Sequence, residues 1–111
     1  MANAYKTKIG QVTTSMASAL SPAATSGMQQ LVKECRITNI TTSSATVSVV
    51  IDQNGTQRHL AKDMVVPANS SLNVVDNVIA LDENGVNSSE IHVQGGANST
   101  LEYVISYLEI T

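Results

Sequence analysis

From Leu31 onward apolar and polar residues take turns along the chain, the two-residue period that sends alternate side chains to opposite faces of a β-strand. In the first such stretch Leu31, Cys35 and Ile37 share one face, and Glu34, Arg36 and Thr38 share the other. A turn from Thr41 to Ser44 leads to a second stretch, where Val47, Val49 and Ile51 alternate with Thr46 and Ser48. Asn54-Gly55 is the strongest hairpin signal in the chain, because a type I′ turn needs positive φ at both central residues. The returning strand runs from about Gln57 to Val66 and ends at Pro67-Ala68-Asn69, since Pro cannot donate to a central ladder.

Leu72 to Val75 and Asn77 to Leu81 read as short strands with a kink at Asp76-Asn77, and Asp82-Glu83-Asn84-Gly85 reads as a tight turn. Glu90 to Gln94 form a further strand, followed by the turn Gly95-Gly96-Ala97-Asn98. In the last stretch Leu101, Tyr103, Ile105 and Tyr107 alternate with Glu102, Val104 and Ser106. Some seven to eight strands at this spacing predict an all-β fold, an antiparallel β-sandwich of jelly-roll or immunoglobulin-like type.

Residues 1–27 have a different composition, dominated by Ala, Ser and Thr with Gly10, Pro22 and Gly27 as breakers. Thr and Ser disfavour a helix over Gln11 to Leu20, so the expectation is an extended N-terminal arm ahead of a sandwich over residues 28–111. Ordering such an arm costs about 1 to 2 kcal/mol per residue, which a sizeable interface must offset. The expected interface residues are Tyr5, Lys6, Lys8, Ile9, Val12, Met16 and Leu20, held against a neighbouring subunit.

Composition sharpens this picture. The 111 residues suffice for one domain, and charged residues make up only 14% of them, far below the usual quarter. Ser, Thr and Asn take their place, and a surface so weakly charged lets copies approach one another. Phe and Trp are absent, so Val, Ile and Leu must fill the core. A small aliphatic core yields modest stability, which oligomerisation can supplement. A net charge of −3 without a basic run predicts no nucleic-acid partner, and no stretch is apolar enough for a membrane helix. The single Cys35 and the lack of a signal-like N-terminal run point to synthesis in a cytoplasm. Five N-x-S/T matches, at Asn39, Asn54, Asn69, Asn87 and Asn98, are accordingly read as turn chemistry rather than glycosylation sites.

Catalytic chemistry finds little support. His59 and His92 lack neighbours at metal-ligand spacing and read as strand surface residues, with no cofactor expected. Cys35 lies on an apolar strand face, where a thiol behaves as a small hydrophobe; a nucleophile there would need a base such as His59 beside it. Asp52, Asp63, Asp76, Glu90, Glu102 and Glu109 are scattered, and Asp82-Glu83-Asn84-Gly85 lacks the distal ligands of a calcium loop. The expectation is a protein that is not an enzyme. Shallow sugar sites on sandwich loops are a further expectation, through Asn84, Asn87 and Asn98, with Tyr the only aromatic available.

Several stretches, in order, carry a resemblance: Met1-Ala2-Asn3-Ala4-Tyr5-Lys6, the strand from Leu31 to Asn39, Ala45 to Val49, Val66 to Leu72, and the closing Glu109-Ile110-Thr111. Together they resemble the small β-sandwich virion proteins of tailed bacteriophages. Where that family commonly leads into its first strand with Tyr-Thr-Val-Pro, this chain has Leu20-Ser21-Pro22-Ala23 and a longer approach through Met28. The resemblance implies a structural part of a phage particle with no catalytic residues to carry over. The resulting expectation is a capsid decoration protein that binds the shell as a homo-oligomer, a trimer, with a major capsid protein as partner. The alternative is a tail, neck or fibre module that contacts a host surface glycan.

Overall fold

In a computed structural model the described residues are 3–22, 28–83 and 88–110, and they form nine antiparallel strands and no helix. In chain order these are β1 (Asn3–Gln11), β2 (Ala17–Leu20), β3 (Met28–Asn39), β4 (Ala45–Gln53) and β5 (Thr56–Val66). Then follow β6 (Ser71–Asn73), β7 (Ile79–Glu83), β8 (Ser89–Gly95) and β9 (Leu101–Ile110). One sheet has the order β1-β9-β3-β6, with β7 also on β3, and the other has the order β2-β8-β4-β5. The inner faces of both sheets supply one core, built from Val32, Cys35, Ile37, Leu101 and Ile105 on one side and Val47, Val49, Ile91 and Val93 on the other. The fold is therefore the expected antiparallel sandwich, with one or two more strands than expected.

The Asn54-Gly55 turn is as expected: φ is +54° and +89° at its two residues, and it joins β4 to β5. Asp52 holds the turn, accepting from the Gly55 N–H at 3.0 Å and from the Gln57 amide at 3.1 Å. Those bonds, the Gln57 one first, hold the Asp52 carboxyl below its ordinary range. Of the described sequon asparagines, Asn39 bonds locally and Asn54 and Asn69 take positive φ in turns, whereas Asn98 bonds to the distant Thr14. Buried Asn39 donates to the Ser43 and Val66 carbonyls and accepts from Thr41, while Asn54 Oδ1 accepts from the Ser88 N–H. Asn69 occupies the left-handed region, with φ of +55°. The Asn84-Gly85 half of the proposed tight turn, and Asn87, lie outside the described residues.

Two expectations need correction. Leu31 does not share a face with Cys35 and Ile37: a bulge between Val32 and Glu34 adds one residue to β3 and reverses the phase. Gln30 and Val32 therefore face the core before the bulge, and Cys35, Ile37 and Asn39 face it afterwards. The second correction concerns the proposed arm. Its described residues are extended, but as strands of the chain's own sheets: β1 pairs with β9 over its whole length, and β2 pairs with β8. Extended polar residues satisfy their backbone groups most cheaply on the nearest open sheet edge, and β9 offers a ten-residue one. Gly10 makes that pairing possible, because a Cβ there would fall inside contact distance of the Tyr103 ring directly opposite.

Candidate functional site

The interface residues expected in the N-terminal segment separate into four groups. Val12 and Leu20 are buried in the chain's own core, so they are not available to a neighbour. Met16, between β1 and β2, is half-buried. Tyr5 and Ile9 project from the outer face of the first sheet and are 74% and 70% exposed. Lys6 and Lys8 take the opposite register, across from Tyr107 and Ile105 on the core side of an edge strand. Lysines so placed discourage another sheet edge from pairing with β1.

Register assembles the outer face of the first sheet into cross-strand rows. One row runs Tyr5, Leu108, Leu31, Ala80 across β1, β9, β3 and β7; another runs Ile9, Val104, Arg36, Asn73. The bulge in β3 places Leu31 in this outer row. Tyr5, Ile9 and Val104 are all exposed, so the face carries an apolar stripe that the alternation of β9 leaves on the outside. Two of its cations have partners there. Lys33 Nζ lies 5.3 Å from the centroid of the Tyr5 ring, and Arg36 donates to Glu34 at 2.9 Å.

The outer face of the second sheet is mostly polar, although Val65 on β5 is 57% exposed across from Thr46. Val50 lies between His92 on β8 and His59 on β5, and the next row carries Glu90 beside Asp52. His92 Nε2 lies 2.8 Å from Glu90 Oε1, two residues back on the same strand face. Among the described residues no group of three or more His, Cys, Asp or Glu is arranged to hold a metal ion. Cys35 is fully buried in the first sheet and His59 lies on the far face of the second, so the fold does not bring them together. Burial, and then the charge of Glu34, push the Cys35 thiol up to about 12. Of the loop asparagines considered for sugar binding, Asn98 is engaged within the protein, its Oδ1 accepting from the Thr14 N–H at 3.0 Å. Asn84 and Asn87 lie outside the described residues.

Where β1 and β2 approach from opposite sheets, the sandwich edge stays open as a cleft of about 420 Å³. Lys8, Ser18, Leu20, Gln30, Tyr107 and Glu109 line it. Lys6 Nζ donates to Glu109 Oε1 at 2.8 Å, and Gln30 Nε2 reaches Glu109 Oε2 at 3.5 Å. That Lys6 hydrogen bond holds the Glu109 carboxyl below its ordinary value and raises the Lys6 ammonium. Sequence reasoning did not identify Gln30, because the bulge that turns it inward has no mark in the residue pattern.

Compared with protein-family models, curated proteins and solved structures, the chain gives no match.

Proposed function

We propose that this chain is a structural component of a bacteriophage virion, a capsid decoration protein that binds the shell as an oligomer. The observation that carries the reading is the strand order. Two antiparallel sheets ordered 1-9-3-6 and 2-8-4-5, with β7 extending the place of β6, support reading the sandwich as a jelly roll. Jelly rolls build viral capsid domains, and the resemblance of the chain to small phage virion proteins points the same way.

The outer face of the β1 sheet supplies the contact. An antiparallel sheet ordinarily shows a polar outer face to water, whereas here Tyr5, Ile9 and Val104 stand exposed, with Lys33 over the Tyr5 ring and Arg36 paired with Glu34. Copies of the chain meet one another through this face with little repulsion, and the polar outer face of the other sheet stays in solvent. The mechanism is physical rather than catalytic: apolar burial at the contact and bridging of shell subunits.

Fractionating virions of the phage that encodes the chain into heads and tails, and counting copies in each by quantitative mass spectrometry, tests this. Copies in proportion to the capsid subunit in the head fraction are expected. A few copies confined to tails would move the chain to a tail, neck or fibre module, and absence from both fractions would end the virion reading.

A further inference from the structure

The Asn54-Gly55 turn brings together two groups that react with each other in an unconstrained chain. The Gly55 backbone nitrogen follows the Asn54 side-chain amide with no Cβ to shield it, and its attack on Asn54 Cγ closes a succinimide ring. In that step the N–Cγ bond forms, the Cγ–Nδ2 bond breaks, and ammonia leaves with the proton that the Gly55 nitrogen gives up. Water then opens the ring at either carbonyl, leaving an aspartyl or an isoaspartyl residue in place of Asn54. Both residues are exposed at the tip of the β4–β5 hairpin, so water reaches them.

The fold holds both reacting groups. The Gly55 N–H donates to Asp52 Oδ1 at 3.0 Å, and Gln57 Nε2 donates to Asp52 Oδ2 at 3.1 Å, which fixes the carboxylate in place. Across the turn, Asn54 Oδ1 accepts from the Ser88 N–H at 3.0 Å, and the Asn54 N–H donates to the Ser88 carbonyl at 3.2 Å. The nucleophile is thus tied to β4 and the amide it would attack is tied to the residue before β8. Attack requires the Gly55 nitrogen to give up a hydrogen bond to a charged acceptor and the Asn54 amide to leave Ser88.

A carboxylate beside the Gly55 nitrogen has two roles open to it, with opposite consequences. As a base it would take the proton and speed the attack, whereas as a fixed acceptor it keeps the proton on nitrogen and slows the attack. The second role prevails. The Asp52 carboxyl is held below its ordinary range and is a weak base, and a peptide nitrogen is far too weakly acidic to give it a proton. Deprotonation would also place negative charge on nitrogen next to the carboxylate.

We propose that Asn54 is a latent deamidation site that Asp52 and Ser88 hold closed, so that it persists in the folded chain and converts when the turn opens. Conversion would undo the hairpin: an isoaspartyl residue adds a backbone methylene where φ is positive at two successive residues, and either product sets a second carboxylate beside Asp52. The inference is independent of the virion reading.

The experiment follows loss of the amide at neutral pH by mass spectrometry, with peptide mapping that separates Asn54 from the chain's other Asn-Gly pair, Asn84-Gly85. Folded wild type is expected to convert at Asn54 at least about tenfold more slowly than the urea-unfolded chain, and folded Asp52→Ala about tenfold faster than folded wild type, the size expected for losing a hydrogen bond to a charged group. Asp52→Asn keeps an acceptor of the same size without the charge, so its rate should fall between the two; it carries the test should Asp52→Ala fail to fold. Equal rates in folded and unfolded wild type, or a rate unchanged in the folded Asp52 variants, would overturn the assignment. Slower conversion in those variants would overturn it too, making Asp52 the base.

Discussion

The two outer faces of this sandwich are built by the same alternation and end up chemically opposite. On the β2-β8-β4-β5 sheet the outward positions of β4 and β8 are Ser48, Val50, Asp52, Glu90, His92 and Gln94, and the one apolar member, Val50, is covered between two histidines. On the β1-β9-β3 sheet the outward positions include Tyr5, Ile9, Val104, Leu108 and Leu31, and the first three stay exposed among the described residues, with Lys33 over the Tyr5 ring. Both sheets contribute buried aliphatic side chains to the one core. Unpaired apolar surface is costly in water, and the exposure of Tyr5, Ile9 and Val104 is what the proposed contact rests on.

The largest effect expected is one that abolishes the comparison. Ile105, fully buried on β9, holds the two sheets together, and Ile105→Ala should cost about 2 to 5 kcal/mol. Against a typical total of about 5 to 15 kcal/mol, urea unfolding should show a large fall in midpoint, with both faces lost together. A loss under about 1 kcal/mol would mean that the core relaxes around the cavity and that β9 is less central than its register implies.

Gly10→Val is a more selective test. The added side chain meets the Tyr103 ring, and such overpacking costs about 1 to 3 kcal/mol. The ring is confined in the core, so β1 should yield by leaving the edge. Hydrogen exchange should then speed up along β1 while the amides of β8 and β4 keep their protection, removing Tyr5 and Ile9 from the first face and leaving the second intact. Equal loss of protection in both sheets would show that β1 belongs to the cooperative core rather than to its edge.

Ile9→Asp addresses the contact itself. Ile9 is mostly exposed, so the change should alter stability by no more than about 0.5 kcal/mol. Self-association measured by sedimentation should nonetheless fall sharply, while His59→Ser on the other sheet leaves it unchanged. If both variants associate like the parent chain, the apolar stripe is not the contact.

These two faces also show what was legible beforehand. The alternation Leu101, Tyr103, Ile105, Tyr107 against Glu102, Val104, Ser106 describes β9 as it is found, because a central strand with no bulge keeps its period from end to end. The Asn54-Gly55 hairpin was readable for an equally local reason, since positive φ at consecutive residues admits few alternatives. Leu31 was placed on the wrong face because the bulge after Val32 is set by pairing with β9, a partner some seventy residues away. The same distance hid the fate of the N-terminal segment. Its polar composition is compatible with a free arm, and only an open edge on β9, supplied by the other end of the chain, turns it into a strand. Gln30 and the cleft depend on both of these non-local events, so neither had a signal in the residue pattern.

The smallest effect expected concerns the ion pair that fastens β1 to the end of β9. Glu109 has its carboxyl pKa lowered on folding, so its contribution is present above the ordinary carboxylate value and disappears as pH falls through the folded one. Lys6 has its pKa raised, so its contribution is complete below the ordinary lysine value and is lost only as pH rises through the folded one. Between those limits the pair stabilises the edge strand that carries Tyr5 and Ile9. Glu109→Gln should therefore lower the melting temperature slightly at pH 7 and not at all once the wild-type carboxyl is protonated. Because Lys6 is about half exposed, the pH 7 difference should also shrink in high salt. A melting-temperature difference that persists unchanged in acid would mean that Glu109 acts through its hydrogen bond to Gln30 and not through charge. The attachment of β1, and with it the apolar face, would then rest on pairing with β9 alone.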